Sequence, residues 1–238
     1  MKLSIVVPVY NEARTISPLL AKLKDVTFPQ GVETETIIVD DGSTDGTRNI
    51  LKNLGSGYTL LFHEKNKGKG SAIRTGLAHA SGEYVVIQDG DLEYDPHDLR
   101  RMLETIVANG YPVLYGSRQL LNNTHGRLPF YAGGLFLTWL SNILYRQHLT
   151  DEPTCYKMFK TDFLKSLPLR CERFEFCPEV TALSALRGIE IPEIGISYHP
   201  RDVSEGKKIR WHDGVEAIWT LVKYRFCGIR KSVPRVAD

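Results

Sequence analysis

Cysteine is scarce in this sequence, and nothing in its spacing suggests a scaffold. Cys155, Cys171, Cys177 and Cys227 are the only four in 238 residues; they form no Cys-x-x-Cys pair and have no histidine at zinc-ligand spacing. This argues against a disulfide framework and a zinc module, and predicts reduced thiols in a cytoplasmic setting. Charge of one sign is missing too. Thirty Lys and Arg against 28 Asp and Glu leave a net charge of +2, too little to predict nucleic acid as a partner. The start, Met1 to Pro8, lacks the basic stretch, apolar core and cleavage site of a signal peptide and reads as a strand. There is no long hydrophobic run either. The nearest is the uncharged stretch 128–145, broken up by Pro129, Gly133, Gly134, Ser141 and Asn142. A membrane-spanning helix fits it least well. A buried core helix and a helix over 128–147 lying in a membrane interface both remain open, the second helped by Trp139 and Tyr145 near one end. No Walker A motif occurs, and Gly68-Lys69-Gly70 reaches Ile73 where a dinucleotide fingerprint needs Gly or Ala.

What is present is a regular alternation of two periods. Apolar β runs at 3–9, 34–39, 58–62, 84–87 and 112–115 alternate with helical patterns at 15–23, 45–54, 70–80 and 98–108. Such alternation predicts βαβ units, an α/β protein with a single doubly wound, mostly parallel sheet and helices on both faces. After residue 118 the pattern changes. The uncharged stretch is followed by a loop at 150–156, a helix near 178–187, two short strands around 189–198, a polar loop at 199–210, a helix at 212–226 and a basic tail. No linker or repeat separates the halves, so one domain over 1–238 is expected, with 1–118 as one half and 119–238 as the other.

In open parallel sheets, ligands bind beyond the carboxyl ends of the strands. Every strand end in the first half is polar, charged or glycine-rich. Asp89-Gly90-Asp91-Leu92-Glu93 is the most informative. A strand delivers two carboxylates separated by a glycine, and hard oxygen ligands of this kind suit Mg2+ or Mn2+. Asp89 and Asp91 are the candidate ligands and Glu93 a third, although an acidic turn capping the next helix would use the same residue types. In Asp40-Asp41-Gly42-Ser43-Thr44-Asp45 one of the first two acids can accept a hydrogen bond from a base or ribose hydroxyl, with Ser43 to Asp45 forming the turn. Lys69 and Arg74 are candidate phosphate contacts, or simply mobile cations.

Taken together, these segments resemble family 2 glycosyltransferases of the GT-A fold, and within them the dolichol-phosphate mannose synthase-like, polyprenyl-phosphate branch. The residues that carry the resemblance are Ser4 to Glu12, Val39 to Thr47, Asn66 to Gly70, Gln88 to Pro96 and Tyr115 to Arg118; it continues more loosely through Asp151 to Tyr156, Glu179 and Tyr198 to Lys208. It implies that Pro8, Tyr10, Glu12 and Asp41, with Asp40, Lys69, Gly70, Asp89 and Gly90 beside them, hold the nucleotide-sugar, and that Asp89 and Asp91 bind the metal on its diphosphate. It further implies inversion in a single displacement. Gly90 departs from the alanine usual in the family, a change expected to be harmless.

The acceptor is read from charge. A hydroxyl acceptor needs a general base, for which Glu179 is the candidate, the alternative being that it orders the site by pairing with an arginine; an acceptor phosphate needs cations instead. Arg118, Arg127, Arg201, Lys207 and Lys208 supply them around the uncharged stretch. The expected catalytic set is therefore Asp91, Arg118, Arg201 and Glu179. The expected reaction is transfer of a hexose from GDP-mannose or a UDP-sugar to a polyprenyl or dolichyl phosphate by an enzyme peripheral to the cytoplasmic face of a membrane. A soluble transferase acting on a saccharide or protein hydroxyl is the alternative. A nucleotidyltransferase would need a Gly-rich, Arg- or Lys-bearing loop where Val9-Tyr10-Asn11-Glu12 stands, and a non-catalytic nucleotide-sugar-binding scaffold would show no turnover.

Overall fold

The computed structural model describes residues 1–121, 123, 128–201 and 211–227. Seven strands build one sheet: β1 (Lys2–Val9), β2 (Glu33–Asp40), β3 (Tyr58–Phe62), β4 (Tyr84–Ile87), β5 (Val113–Ser117), β6 (Lys157–Lys160) and β7 (Glu193–Gly195). Their order is β3-β2-β1-β4-β6-β5-β7. All pairings are parallel except those of β6, which runs antiparallel between β4 and β5. The helices are α1 (Ile16–Asp25), α2 (Thr47–Lys52), α3 (Lys69–His79), α4 (Asp98–Asn109), α5 (Leu128–Tyr145), α6 (Thr161–Ser166), α7 (Phe176–Leu186) and α8 (Trp211–Phe226).

The period-2 alternation of the strands explains why helices cover both faces. Leu3, Ile5, Val7 and Val9 of β1, Ile38 of β2, Val86 of β4 and Leu114 of β5 share a cluster with Ile16 and Leu19 of α1, Leu51 of α2 and Leu103 of α4. Their neighbours of opposite parity, Val6, Ile37, Val39, Val85, Ile87, Val113 and Tyr115, pack with Ile73 of α3, Tyr145 of α5, Val180 of α7 and Leu221 of α8. The doubly wound expectation is met. The sheet order reverses at β1, whose two neighbours are β2 and β4, so the carboxyl ends of β1 and β4 open at a topological switch point.

The expected strands at 58–62 and 84–87 form at those residues, and the other first-half elements form within about two residues of their expected limits. The second half differs. β6 and α6 replace what reads as irregular chain after residue 156. Only β7 forms between 189 and 198, followed by an isolated bridge that pairs Tyr198 with Tyr94. The uncharged stretch is a helix, α5, but it is not a core helix. Its buried residues are Thr138, Ser141 and Tyr145, with Leu137, Leu140 and Leu144 packed against the core, while Leu128, Leu135, Phe136, Trp139 and Ile143 face outward. Among the described residues no helix is long and apolar enough to cross a membrane.

Candidate active site

The loop that ends β1 is fastened to the loop that ends β2. Asn11 takes a left-handed backbone (φ 50°), which asparagine tolerates, and its Oδ1 accepts from Thr44 N at 2.8 Å. Ser43 Oγ accepts from Asn11 N, Thr47 Oγ1 from Glu12 N and Asp45 Oδ2 from Ala13 N. Ser43 and Asp45 thus act as turn residues. Gly42 sits at φ +76°, and a Cβ there would lie 2.5 Å from Asn66 N, so only glycine lets the 65–66 segment approach this closely.

The ends of β1 and β4 meet. A Cβ on Gly90 would stand 3.2 Å from Pro8 O, and Thr15 Oγ1 bridges Glu12 Oε2 (2.5 Å) and Gly90 O (3.0 Å). Around this seam stand Glu12, Asp89, Asp91 and Glu93, each matched by a cation or a hydroxyl. Lys69 pairs with Asp89. Arg201 reaches Asp91 Oδ2 at 2.6 Å and Glu12 Oε2 at 3.2 Å. Burial, and then the neighbouring Asp89, push the Asp91 carboxyl up to about 7. Burial also opposes ionisation of Asp89, but Lys69 holds that carboxyl below its ordinary value.

Several expected site residues are committed elsewhere. Glu93 accepts from Tyr198 OH (3.1 Å) and Arg201 N (2.9 Å), which ties it to the acceptor-side chain instead of offering it as a third metal ligand. Among the described residues no group of three or more His, Cys, Asp or Glu is arranged to hold a metal. Asp40 is fully buried and paired with Arg48 at 2.7 Å, so it serves the fold and not a nucleotide. The Asp41 oxygens accept from Lys67 N, Gly68 N and His63 Nδ1; an acceptor position on Oδ2 remains. Gly70 N donates to Arg173 O, and a Cβ there would press on Cys171 O, so its role is close packing of α3 and not phosphate binding. Glu179 is fully buried, accepting from Arg170 N, Cys171 N and Tyr224 OH. It brackets the 170–171 segment, correcting its expected place as an acceptor base.

Arg118 is clamped side-on by Asp151, which takes Nε and Nη2 at 2.7 Å each, and lies 5.1 Å over the Tyr198 ring. Arg201 carries a buried Nε without a hydrogen-bond partner. Arg127, Lys207, Lys208 and the basic tail lie outside the described residues. Sequence reading gave no individual site role to Asp151, His63 or Cys155, although it placed Asp151 and Cys155 in a segment that carries the resemblance. His63 follows directly on β3, a strand-end position that the same rule would have flagged; Cys155, whose Sγ lies 2.9 Å from Lys69 Nζ, gave no signal.

With this geometry in view, the comparisons assign the class. A family model described as glycosyl transferase family 2 matches residues 4–167, and the chain belongs to that family. It is 27% identical over 214 residues to a dodecaprenyl-phosphate galacturonate synthase of Rhizobium johnstonii, covering 85% of this chain and 60% of that one. It is 33% identical over 133 residues to a dolichol-phosphate mannosyltransferase of Pyrococcus furiosus, covering 55% of this chain and 37% of that one. The chain thus spans 60% and 37% of the length of these two curated relatives. Among solved structures, glucosyl-3-phosphoglycerate synthase of Mycobacterium tuberculosis, held with Mn2+, UDP and glucosyl-3-phosphoglycerate, superposes with a TM-score of 0.71 at 19% identity, covering 94% of this chain and 80% of that one. The fold is GT-A.

Proposed function

We propose that the chain moves a hexose from GDP-mannose or a UDP-sugar to a polyprenyl or dolichyl phosphate, with inversion, at a membrane surface. The observation that carries this reading is the meeting of Arg201 with Asp91 and Glu12. It sets a cation suited to an acceptor phosphate against the acids suited to the donor.

The donor half would hold the nucleotide through Pro8, Tyr10, Glu12 and the remaining acceptor position of Asp41. Asp89 and Asp91 fit Mg2+ or Mn2+. They are hard oxygen donors, and burial, then the adjacent Asp89, push the Asp91 carboxyl up, which a divalent cation would oppose. A divalent ion held by Asp89 and Asp91 would supply positive charge against the departing nucleoside diphosphate. Lys69 keeps Asp89 ionised, and Arg118, pre-oriented by Asp151, is the cation assigned to an acceptor phosphate. An acceptor phosphate is already a nucleophile and needs no base, which agrees with the full commitment of Glu179.

The outward faces of α5 and α8 support peripheral association with the cytoplasmic face of a membrane. The helices are joined by Tyr145 OH donating to Leu221 O. Phe136 and Trp139 stack on the surface of α5, and Trp211, Val215 and Trp219 recur every fourth residue on α8, all exposed. In this reading residues 1–118 serve the donor and residues 119–238 the acceptor.

The test is a thermal-shift panel of GDP- and UDP-sugars with and without Mn2+, followed by transfer of labelled sugar to a short polyprenyl phosphate. The double variant Asp89→Asn/Asp91→Asn should lose the metal-dependent shift and transfer. Undiminished transfer by that variant in EDTA sinks the reading.

A further inference from the structure

Among the described residues, Arg118 and Arg201 are the cations assigned to the acceptor. Arg118 follows directly on β5 and Arg201 lies beyond β7, yet one tyrosine touches the side chain of the first and the anchor of the second. Asn123 joins the two stretches of chain. Its Nδ2 donates to Arg118 O and Ile196 O, 2.8 Å each, and its Oδ1 accepts from Tyr198 N at 3.0 Å. The Arg118 guanidinium then lies 5.1 Å over the centre of the Tyr198 ring, a cation–π contact. The hydroxyl end of the same ring serves the other arginine. Tyr198 OH donates to Glu93 Oε2 at 3.1 Å, while Glu93 Oε1 accepts from Arg201 N at 2.9 Å and stands 3.7 Å from Arg201 Nε. The backbone repeats this link, with Tyr198 bridged to Tyr94 and His199 N donating to Glu93 O at 2.8 Å.

We propose that Tyr198 is a positioning residue of the acceptor site, holding Arg118 by its ring and Arg201, through Glu93, by its hydroxyl, so that both cations keep a fixed placement for a phosphate-bearing acceptor. This rests on the acceptor reading above and adds the device that orders its cations. Asp151 grips one edge of the Arg118 guanidinium, and the Tyr198 ring supplies a second, independent contact. An unrestrained arginine loses rotamer freedom when it closes on an anion, and that ordering is subtracted from affinity. A side chain already held in place loses less.

Packing alone does not account for the hydroxyl. Tyr198 is buried, and its ring centre lies 5.4 Å from that of Tyr94, a contact that phenylalanine would make equally well. What tyrosine adds is a bond to a carboxylate, and that carboxylate is the one that meets Arg201 N. A hydrogen bond to a charged group is stronger than one between neutral partners. Without the hydroxyl, the link between the two arginines is broken while the ring contacts stay. Glu93 is therefore a bracket in this arrangement, with one oxygen on Tyr198 and the other on the Arg201 backbone.

The experiment is calorimetric titration of geranyl phosphate, a short isoprenyl monophosphate, into the full chain, with geraniol as the control for the hydrocarbon alone. Wild type should bind geranyl phosphate more tightly than geraniol. Tyr198→Phe should weaken geranyl phosphate about tenfold, as expected for one lost hydrogen bond to a charged group. Tyr198→Leu, which removes the ring as well, should weaken it further; if that variant does not fold, the phenylalanine variant decides. In a Glu93→Gln background the same Tyr198→Phe change should cost less than about threefold, because both substitutions act on one bond. The thermal shift given by UDP or GDP with Mn2+ should be as large in Tyr198→Phe as in wild type, which a general loosening of the structure would not allow. Unchanged geranyl phosphate binding by Tyr198→Phe overturns the proposal. So does the full tenfold loss repeated in the Glu93→Gln background, or a nucleotide shift that falls in step with phosphate binding. A wild type that binds geranyl phosphate no better than geraniol refutes the phosphate-acceptor reading itself, and the role of Tyr198 falls with it.

Discussion

Replacing Arg201 by methionine keeps the apolar stem and removes the charge that three acids share. The guanidinium lies 2.6 Å from Asp91, 3.2 Å from Glu12 and 3.7 Å from Glu93, and its side chain is 15% exposed. Stripping one partner from a buried ion pair costs about 3–5 kcal/mol, because the remaining charge is left uncompensated. Two effects reduce that here. The Arg201 side chain keeps 15% of its surface exposed, and Asp91, already pushed up to about 7, can relieve part of the repulsion by taking a proton. About 2–3 kcal/mol is then the expected loss, close to that of a charge-assisted hydrogen bond. For a chain of this size that corresponds to a fall in Tm of roughly 5–10 °C.

The assay is scanning calorimetry of wild type and Arg201→Met in EDTA, repeated with Mn2+. In wild type a divalent ion has to compete with Arg201 for Asp91; in the variant it does not. Mn2+ should therefore restore more of the melting temperature in the variant, to which it adds about 2.7 kcal/mol when its concentration is a hundred times the variant's Kd. If the two proteins melt together in EDTA, Arg201 is not neutralising the acids. If Mn2+ raises both equally, the ion and the guanidinium do not share a site. Either result refutes the reasoning.

Glu179→Ala should destabilise the protein by about 2–5 kcal/mol in urea unfolding, since it strands Arg170 N, Cys171 N and Tyr224 OH, whereas Glu179→Gln keeps an acceptor, loses less and retains transfer to a lipid phosphate. Gly42→Ala meets both a positive φ and Asn66 N, and should cost about 2 kcal/mol or more by the same measurement. Glu35 is held down at about 2: burial opposes this, but hydrogen bonds from Lys2, Ser4 and Ser81 outweigh it. A depressed carboxyl contributes stability above its ordinary value of 4.5 that is lost as pH falls toward 2, so Glu35→Gln should flatten the acid limb of a Tm-versus-pH curve and leave pH 7 to 8 parallel to wild type. Trp139→Ser and Trp219→Ser should each weaken flotation with anionic vesicles about tenfold, as expected for roughly 1.4 kcal/mol of lost apolar burial, and unchanged flotation would remove the membrane face.

The first half of the fold was legible because its strands are unbroken apolar runs and its acids stand at strand ends, where a parallel sheet exposes them. β6 was not, for a reason that its residues make plain. It has four residues with a lysine at each end, and Lys157 is fully buried, its ammonium 3.5 Å from the centre of the Tyr115 ring and donating to Glu152 O. A lysine at a strand end reads as solvent-facing, and only the neighbouring carbonyl and ring make its burial tolerable. α5 misleads in the other direction, since Thr138 and Ser141 face inward while Phe136 and Trp139 face out, and no periodicity rule says which stripe of an uncharged helix is covered. The site shows the same division. Asp89 and Asp91 can be read locally, but the cations that answer them come from 20 residues before Asp89 and 110 residues after Asp91. Charge neutralisation in a buried cleft is a condition on the whole chain: the strand ends announce which acids need a partner, and chain closure decides that Lys69 takes Asp89 while Arg201 takes Asp91.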